Sequence, residues 1–182
     1  MKEIALNVLD LAENSLRANA TRVEIDISVR DDFITLQIVD DGCGMDPEFV
    51  KRVTDPYATT RTTRNVGLGI PLTKMEAEMS GGGMTIESEL GVGTKLTATF
   101  AVNNIDRPPL GNLGETIVAL IPDLGKTELI FRYRAFGGEF VLDTSEIQQQ
   151  LQGIPMDSPE VLVFLRQLTE ENIMTINGGI IL

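Results

Sequence analysis

Apolar positions along the first hundred residues change their period three times. Between residues 2 and 19, Ile4, Val8, Leu11, Ala12 and Leu16 recur at three- and four-residue intervals, the stripe of an amphipathic helix. Glu3, Asn7, Asp10, Glu13, Asn14 and Arg17 fall on its polar side. After Thr21 the period drops to two. Val23, Ile25, Ile27 and Val29 alternate with Glu24, Asp26, Ser28 and Arg30, which predicts a half-buried strand. Asp31-Asp32 turns the chain into a second alternating strand, Ile34, Leu36 and Ile38, which runs into Asp40-Asp41-Gly42-Cys43-Gly44. A helix is predicted from Gly67, with Pro71 in its first turn, Leu68, Leu72, Met75 and Met79 as its buried stripe, and Gly81-Gly82-Gly83 as its stop. Strands over 84–90 and 95–102 follow, turned by Gly91-Val92-Gly93-Thr94. The order helix, two strands, loop, helix, two strands implies an α+β two-layer sandwich, a mixed or antiparallel sheet covered on one face by helices.

Asn103 to Pro109 reads as a linker. Beyond it the spacing predicts a helix over 112–121, a hairpin of 127–134 and 139–143 around Gly137-Gly138, and a helix over 158–171 with Val161, Leu165 and Leu168 inward. The expected organisation is a domain over 1–102, a linker over 103–109, and a small α+β C-terminal module over 110–182.

Composition narrows the chemistry. The 182 residues hold 15 basic and 27 acidic side chains, a net charge of −12 shared equally by the stretches before and after residue 102. Such a balance disfavours a nucleic-acid or anionic-membrane surface. Histidine is absent, which removes Ser-His triads, histidine-metal sites and a phosphohistidine within this chain. Cys43 is the single cysteine, so no internal disulfide or cysteine-ligated zinc forms. No apolar run approaches the ~20 residues of a membrane span, and Met1-Lys2-Glu3 opens no signal-peptide pattern. A soluble cytoplasmic protein is expected.

Two phosphate-binding fingerprints fail. Gly125-Lys126-Thr127 resembles the end of a P-loop, but Leu120 stands where its first glycine belongs, and a strand pattern follows. Gly67-Leu68-Gly69 and Gly42-Cys43-Gly44 lack the third glycine of a dinucleotide fold, with Leu72 and Pro47 in its place. Three weaker features remain. On the first helix Asp10 and Asn14 lie one turn apart, so one can orient a water while the other offers a carboxamide oxygen to a hard cation such as Mg²⁺. Arg17, a further turn on, can reach a phosphate; a solvated helix face is the simpler alternative. In the second, an acid at a strand end, Asp40, can accept from an exocyclic amine, which adenine has and guanine lacks at that position, and the glycines of Gly42-Cys43-Gly44-Met45 let backbone approach a flat ligand. In the third, no acid lies between Asp55 and Glu76, while Thr59, Thr60, Arg61, Thr62, Thr63 and Arg64 precede the helix start at Gly67-Leu68-Gly69. Free amides and the helix dipole favour an anion there.

The order of these parts resembles the GHKL ATPases, the superfamily of DNA gyrase B, heat-shock chaperones, histidine kinases and mismatch-repair MutL. Asp10 to Asn14, Asp40-Asp41-Gly42-Cys43-Gly44, Gly67-Leu68-Gly69 and Gly91-Val92-Gly93-Thr94 are similar to its N, G1, G2 and terminal Gly-x-Gly-Thr boxes. Glu13-Asn14-Ser15-Leu16 with Ala20-Thr21 is most like MutL, whereas Gly67 to Leu72 is most like a histidine kinase. The resemblance covers residues 4–102. It implies the Bergerat ATP-binding fold, with ATP and Mg²⁺ as cofactors. Asn14 would ligate Mg²⁺ and Arg17 would contact phosphate. Asp40 would read the adenine amine, with Gly42, Gly44, Met45 and Thr94 around the base. Residues 55–69 would form the lid, with Thr60, Arg61 and Arg64 near the phosphates and the amides of Gly67, Leu68 and Gly69 cradling them. Asp10 stands where MutL keeps its general base, a glutamate one methylene longer.

Two functions are implied. One is Mg²⁺-dependent ATP hydrolysis, or transfer of the γ-phosphate to a partner protein, as in the anti-sigma-factor serine kinases, which share the box order and lack a dimerising histidine helix. The other is a non-enzymatic switch in which ATP changes affinity for a partner docked through residues 103–182 or the lid. The chain opens inside the first box helix, so no N-terminal strap of the gyrase type is expected.

Overall fold

A computed structural model describes residues 3–54, 68–180 and 182. Helix α1 (Ile4–Arg17) leads into the antiparallel pair β1 (Arg22–Arg30) and β2 (Phe33–Asp40). A short helix α2 (Pro47–Val53) follows, then α3 (Gly69–Met79) and a second antiparallel pair, β3 (Gly83–Glu89) and β4 (Gly93–Ala101). The remaining chain forms α4 (Leu113–Leu120), the hairpin β5 (Glu128–Ala135) and β6 (Gly138–Asp143), α5 (Thr144–Gln150) and α6 (Pro159–Ile176).

The six strands make one mixed sheet in the order β3-β4-β2-β1-β5-β6, in which β1 and β5 are the parallel neighbours. The period-two positions lie on its helix-covered face: Ile25, Ile27, Ile34, Leu36, Ala98, Phe100, Phe131 and Tyr133 are all fully buried. The α+β fold expected of the chain is therefore present. Residues 128–143 extend the same sheet, and one core runs from α1 through α4 to α6. The predicted linker is fastened at both ends. Val102 N–H donates to the Asp32 carbonyl (2.8 Å), and Ile4 and Ala5 N–H donate to the Pro109 and Leu110 carbonyls (2.9 Å each). No helix among the described residues is long and apolar enough to cross a membrane.

Two local expectations are corrected. The stripe Leu68, Leu72, Met75, Met79 does not face inward: Leu68, Met75 and Met79 are exposed, and α3 buries Gly69, Pro71, Thr73, Glu76 and Ala77. The buried face is small and polar because α3 presses closely on α1, and Thr73 satisfies its hydroxyl internally on the Gly69 carbonyl (2.8 Å). Asn7, placed on the polar side of α1, is fully buried and donates from Nδ2 to Oε2 of Glu76 at 2.8 Å. The helices α2 and α5 escaped the sequence pattern because each spans only 7 residues. Such a length is too short for a helical period to stand out.

Candidate nucleotide site

Between α1, the end of β2, α2 and β4 lies a cavity of about 250 Å³. Leu11, Ile38, Ile70 and Leu96 make apolar walls, and Phe49 and Val53 of α2 close one side. Asn14, Arg17, Asp40, Gly44, Met45 and Thr94 line it as well, so six of the residues singled out in the sequence converge from three distant segments.

Asp40 is the fixed polar group of this cavity. Its Oδ2 accepts from the hydroxyl of Ser15 (2.7 Å) and its Oδ1 from the amide of Gly42 (3.0 Å). Both bonds hold the carboxylate in one orientation at the end of β2. The neighbouring acid does different work. Asp41 accepts from the amides of Thr21 (2.7 Å) and Arg22 (2.8 Å) and from the Thr21 hydroxyl, tying the turn after α1. The Thr21 hydroxyl, then the Arg22 amide, hold the Asp41 carboxyl below the usual carboxylate range.

The glycines serve close approach. Cys43 N–H donates to the Ala18 carbonyl (2.9 Å) and its carbonyl accepts from Gly91 (2.8 Å), which clamps the 42–45 loop between the end of α1 and the β3–β4 turn. Gly44 there has φ +64°, and a Cβ would stand 1.9 Å from the Glu89 carbonyl oxygen, so no other residue fits. Ser88 organises the far wall. Its Oγ accepts from the Met45 amide (2.8 Å) and lies 2.9 Å from the Thr94 hydroxyl and 3.0 Å from the Gly93 carbonyl.

On α1, Asn14 Oδ1 accepts from the Arg17 guanidinium at 3.2 Å, and Arg17 also pairs with Glu13. Asp10, one turn before Asn14, does not line the cavity. It meets Gly69 instead: a Cβ on Gly69 would stand 3.0 Å from Asp10 Cβ and 3.4 Å from Oδ2. Leu68 is exposed just before α3, and Gly42 touches the site through its bond to Asp40. Thr60, Arg61, Arg64 and Gly67 lie outside the described residues. Sequence reasoning missed Ser15 and Ser88. Ser15 carries a weak signal, since it is a polar residue on the core-facing flank of an amphipathic helix; Ser88 carries none beyond its strand position.

The profile of the histidine kinase-, DNA gyrase B- and HSP90-like ATPases matches residues 2–104, which holds every segment of this cavity. The chain belongs to that family. It is thus an ATP-binding domain of the GHKL type, with a kinase-like affiliation among its relatives. The chain is 33% identical over 107 residues to a Shewanella frigidimarina protein described as a sensor protein, a match covering 58% of this chain and 16% of that one. It is 26% identical over 153 residues to histidine protein kinase DivJ of Caulobacter vibrioides, covering 67% of this chain and 25% of the relative. The chain thus spans about a sixth to a quarter of these relatives. Among solved structures, the N-terminal domain of a DNA repair protein shares the fold with a TM-score of 0.56 at 12% identity, over 79% of this chain and 53% of the other.

The cavity of this GHKL domain carries the carboxamide of Asn14 on its surface. Mg²⁺ dehydrates reluctantly and takes one or two protein oxygens plus phosphates and waters. The carboxamide oxygen of Asn14, which accepts from the Arg17 guanidinium, is a hard donor of that chemical kind.

Proposed function

We propose that this GHKL domain binds Mg·ATP and either hydrolyses it or passes its γ-phosphate to a group on a partner protein. The observation that carries the reading is the doubly held carboxylate of Asp40, facing a cavity with apolar walls. An oriented acceptor at the end of an apolar slot suits the exocyclic amine of adenine, with Gly44, Met45 and Thr94 framing the ring. Asn14 would offer its oxygen to Mg²⁺, which supplies charge neutralisation at the phosphates when bound. Arg17, whose side chain is 64% exposed, would swing from Asn14 and Glu13 to a phosphate. The amides of Leu68 and Gly69 open α3 without a side-chain cap, where they would meet phosphate oxygens. Thr60, Arg61, Arg64 and Gly67 are assigned to the lid. Asp10 would orient or deprotonate the attacking group. Residues 103–182 or the lid would dock the protein partner, and a cytoplasmic setting supplies the nucleotide.

The second reading is an ATP-gated switch with negligible turnover. It is favoured by one observation: Asp10, already short for a general base, lies against Gly69 and not on the cavity surface. Calorimetry with Mg·ATP tests binding, and γ-labelled ATP separates the outcomes. Label on a partner supports the kinase, free phosphate supports the ATPase, and saturable binding with neither supports the switch. Absence of saturable binding refutes both.

A further inference from the structure

Asn7 and Glu76 are a buried polar pair, 0% and 8% exposed, set between α1 and α3. Burying two polar side chains costs free energy that an apolar pair of equal volume would not, and Asn7 Oδ1 has no hydrogen-bond partner among the described residues. What a hydrogen bond provides that an apolar contact does not is register. Leucine against leucine tolerates a slide of an ångström; a 2.8 Å bond to a carboxylate does not.

The register in question matters at the nucleotide site. The bond joins residues 69 positions apart, one on α1 and one on α3. Asp10 and Asn14 lie on α1 one and two turns beyond Asn7. The uncapped start of α3, Leu68 and Gly69, lies two turns before Glu76. These two sets meet where Gly69 touches Asp10, a contact so close that a Cβ would stand 3.0 Å from Asp10 Cβ. The polar contacts proposed for adenine come from elsewhere, from Asp40, Ser15 and the 42–45 loop, while α3 gives that cavity one apolar wall residue, Ile70.

We infer that Asn7 and Glu76 form a positioning latch that sets α3 against α1, and with it the distance between the α3 amides and the Asp10/Asn14 pair. The latch serves the phosphates more than the base, which meets α3 only through the apolar side chain of Ile70, and the inference rests on the nucleotide reading of the cavity. Its signature is the ratio of Mg·ATP affinity to adenosine affinity, which isolates what the phosphates contribute.

Asn7→Leu/Glu76→Leu keeps the volume and removes the bond. Its expected result is a ratio lowered about tenfold, equivalent to about 1.4 kcal/mol, with adenosine affinity changed much less than Mg·ATP affinity. Glu76→Gln keeps an acceptor for Asn7 Nδ2 and is expected to retain the ratio. Should the double variant fail to fold, Glu76→Asp retains the charge with an arm one methylene shorter, and the same loss of ratio is expected. A folded double variant or Glu76→Asp with the wild-type ratio overturns the latch, as does a wild-type ratio of one. Wild-type protein that binds neither adenosine nor Mg·ATP overturns the nucleotide reading instead, so the two failures are told apart.

Discussion

Ser15→Ala isolates the orientation of Asp40 from its charge. Ser15 is 4% exposed, and its hydroxyl lies 2.7 Å from Asp40 Oδ2. A hydrogen bond to a charged acceptor contributes about 1.5–3 kcal/mol. Asp40 is half-buried at the cavity, so water replaces part of the lost bond in the variant and about 1 kcal/mol remains. At about 1.4 kcal/mol per tenfold, ATP binding weakens about fivefold. The Gly42 amide still holds Oδ1, so the carboxylate stays in the cavity but rotates more freely. Discrimination of ATP from GTP falls with it. Removal of one oxygen leaves no sizeable void, and a stability loss of about 1 kcal/mol lowers Tm by about 2–4 °C for a chain of this length. Calorimetric titration of ATP and GTP into wild type and Ser15→Ala, with a thermal melt of each, measures all three effects. Wild-type affinity and wild-type ATP/GTP preference in a folded Ser15→Ala protein would refute the claim that Ser15 aims Asp40.

Three further outcomes are expected. Asp40→Asn presents an amide where adenine needs an acceptor and should weaken ATP by at least about tenfold while eroding its preference over GTP, since about 1.4 kcal/mol is the least that a lost charge-assisted bond removes; an unaltered preference in calorimetry places base recognition elsewhere. Asn14→Ala should abolish the Mg²⁺-dependent part of ATP affinity with the fold intact, because Asn14 is on the cavity surface; titrations with and without Mg²⁺ read this, and a preserved difference removes Asn14 from the metal. The third is a pH effect. Asp41 has a folded-state pKa below its unfolded value, so its contribution is fully present above the ordinary carboxylate pKa and is lost as pH falls through the lowered one. Asp41→Asn should therefore lower Tm at neutral pH, with the gap closing in acid; a gap independent of pH means the Thr21 and Arg22 bonds do not depend on that charge.

The sheet was legible in the sequence because a strand with one covered face prints its burial as alternation. Val23, Ile25, Ile27 and Val29 announce β1 without any tertiary information, and the structure buries all four. The buried side of α3 was not legible. Its stripe of Leu68, Leu72, Met75 and Met79 is a valid helical period, yet the side that packs is chosen by the tight contact with α1, a tertiary fact. Asn7 misleads for the same reason: a polar residue reads as exposed unless its partner, 69 residues away, is known. In the cavity, Asp40, Asn14 and Thr94 were visible as motif residues, while Ser15 on α1 and Ser88 on β3 act through hydroxyls whose partners, Asp40 and the Met45 amide, lie far along the chain.

How the two stretches of chain on either side of residue 102 communicate follows from β1. It pairs with β2 on one side and with β5 on the other, and the turn that precedes it, residues 18–22, is held from both. From the nucleotide side, Asp41 binds Thr21 and Arg22, and the Cys43 amide binds the Ala18 carbonyl. From the later segment, the Thr127 hydroxyl donates to the Ala20 carbonyl (2.8 Å), the Glu128 amide donates to the Thr21 carbonyl (2.9 Å), and Glu128 pairs with Arg22 at 3.4 Å. The turn that backs the 42–45 loop is thus shared. A partner that shifted β5 would strain the Thr21–Asp41 bonds and, through Asp41, the strand end that carries Asp40. From Glu128 through Thr21 to Asp41, two hydrogen-bonded steps join β5 to the strand end that carries Asp40.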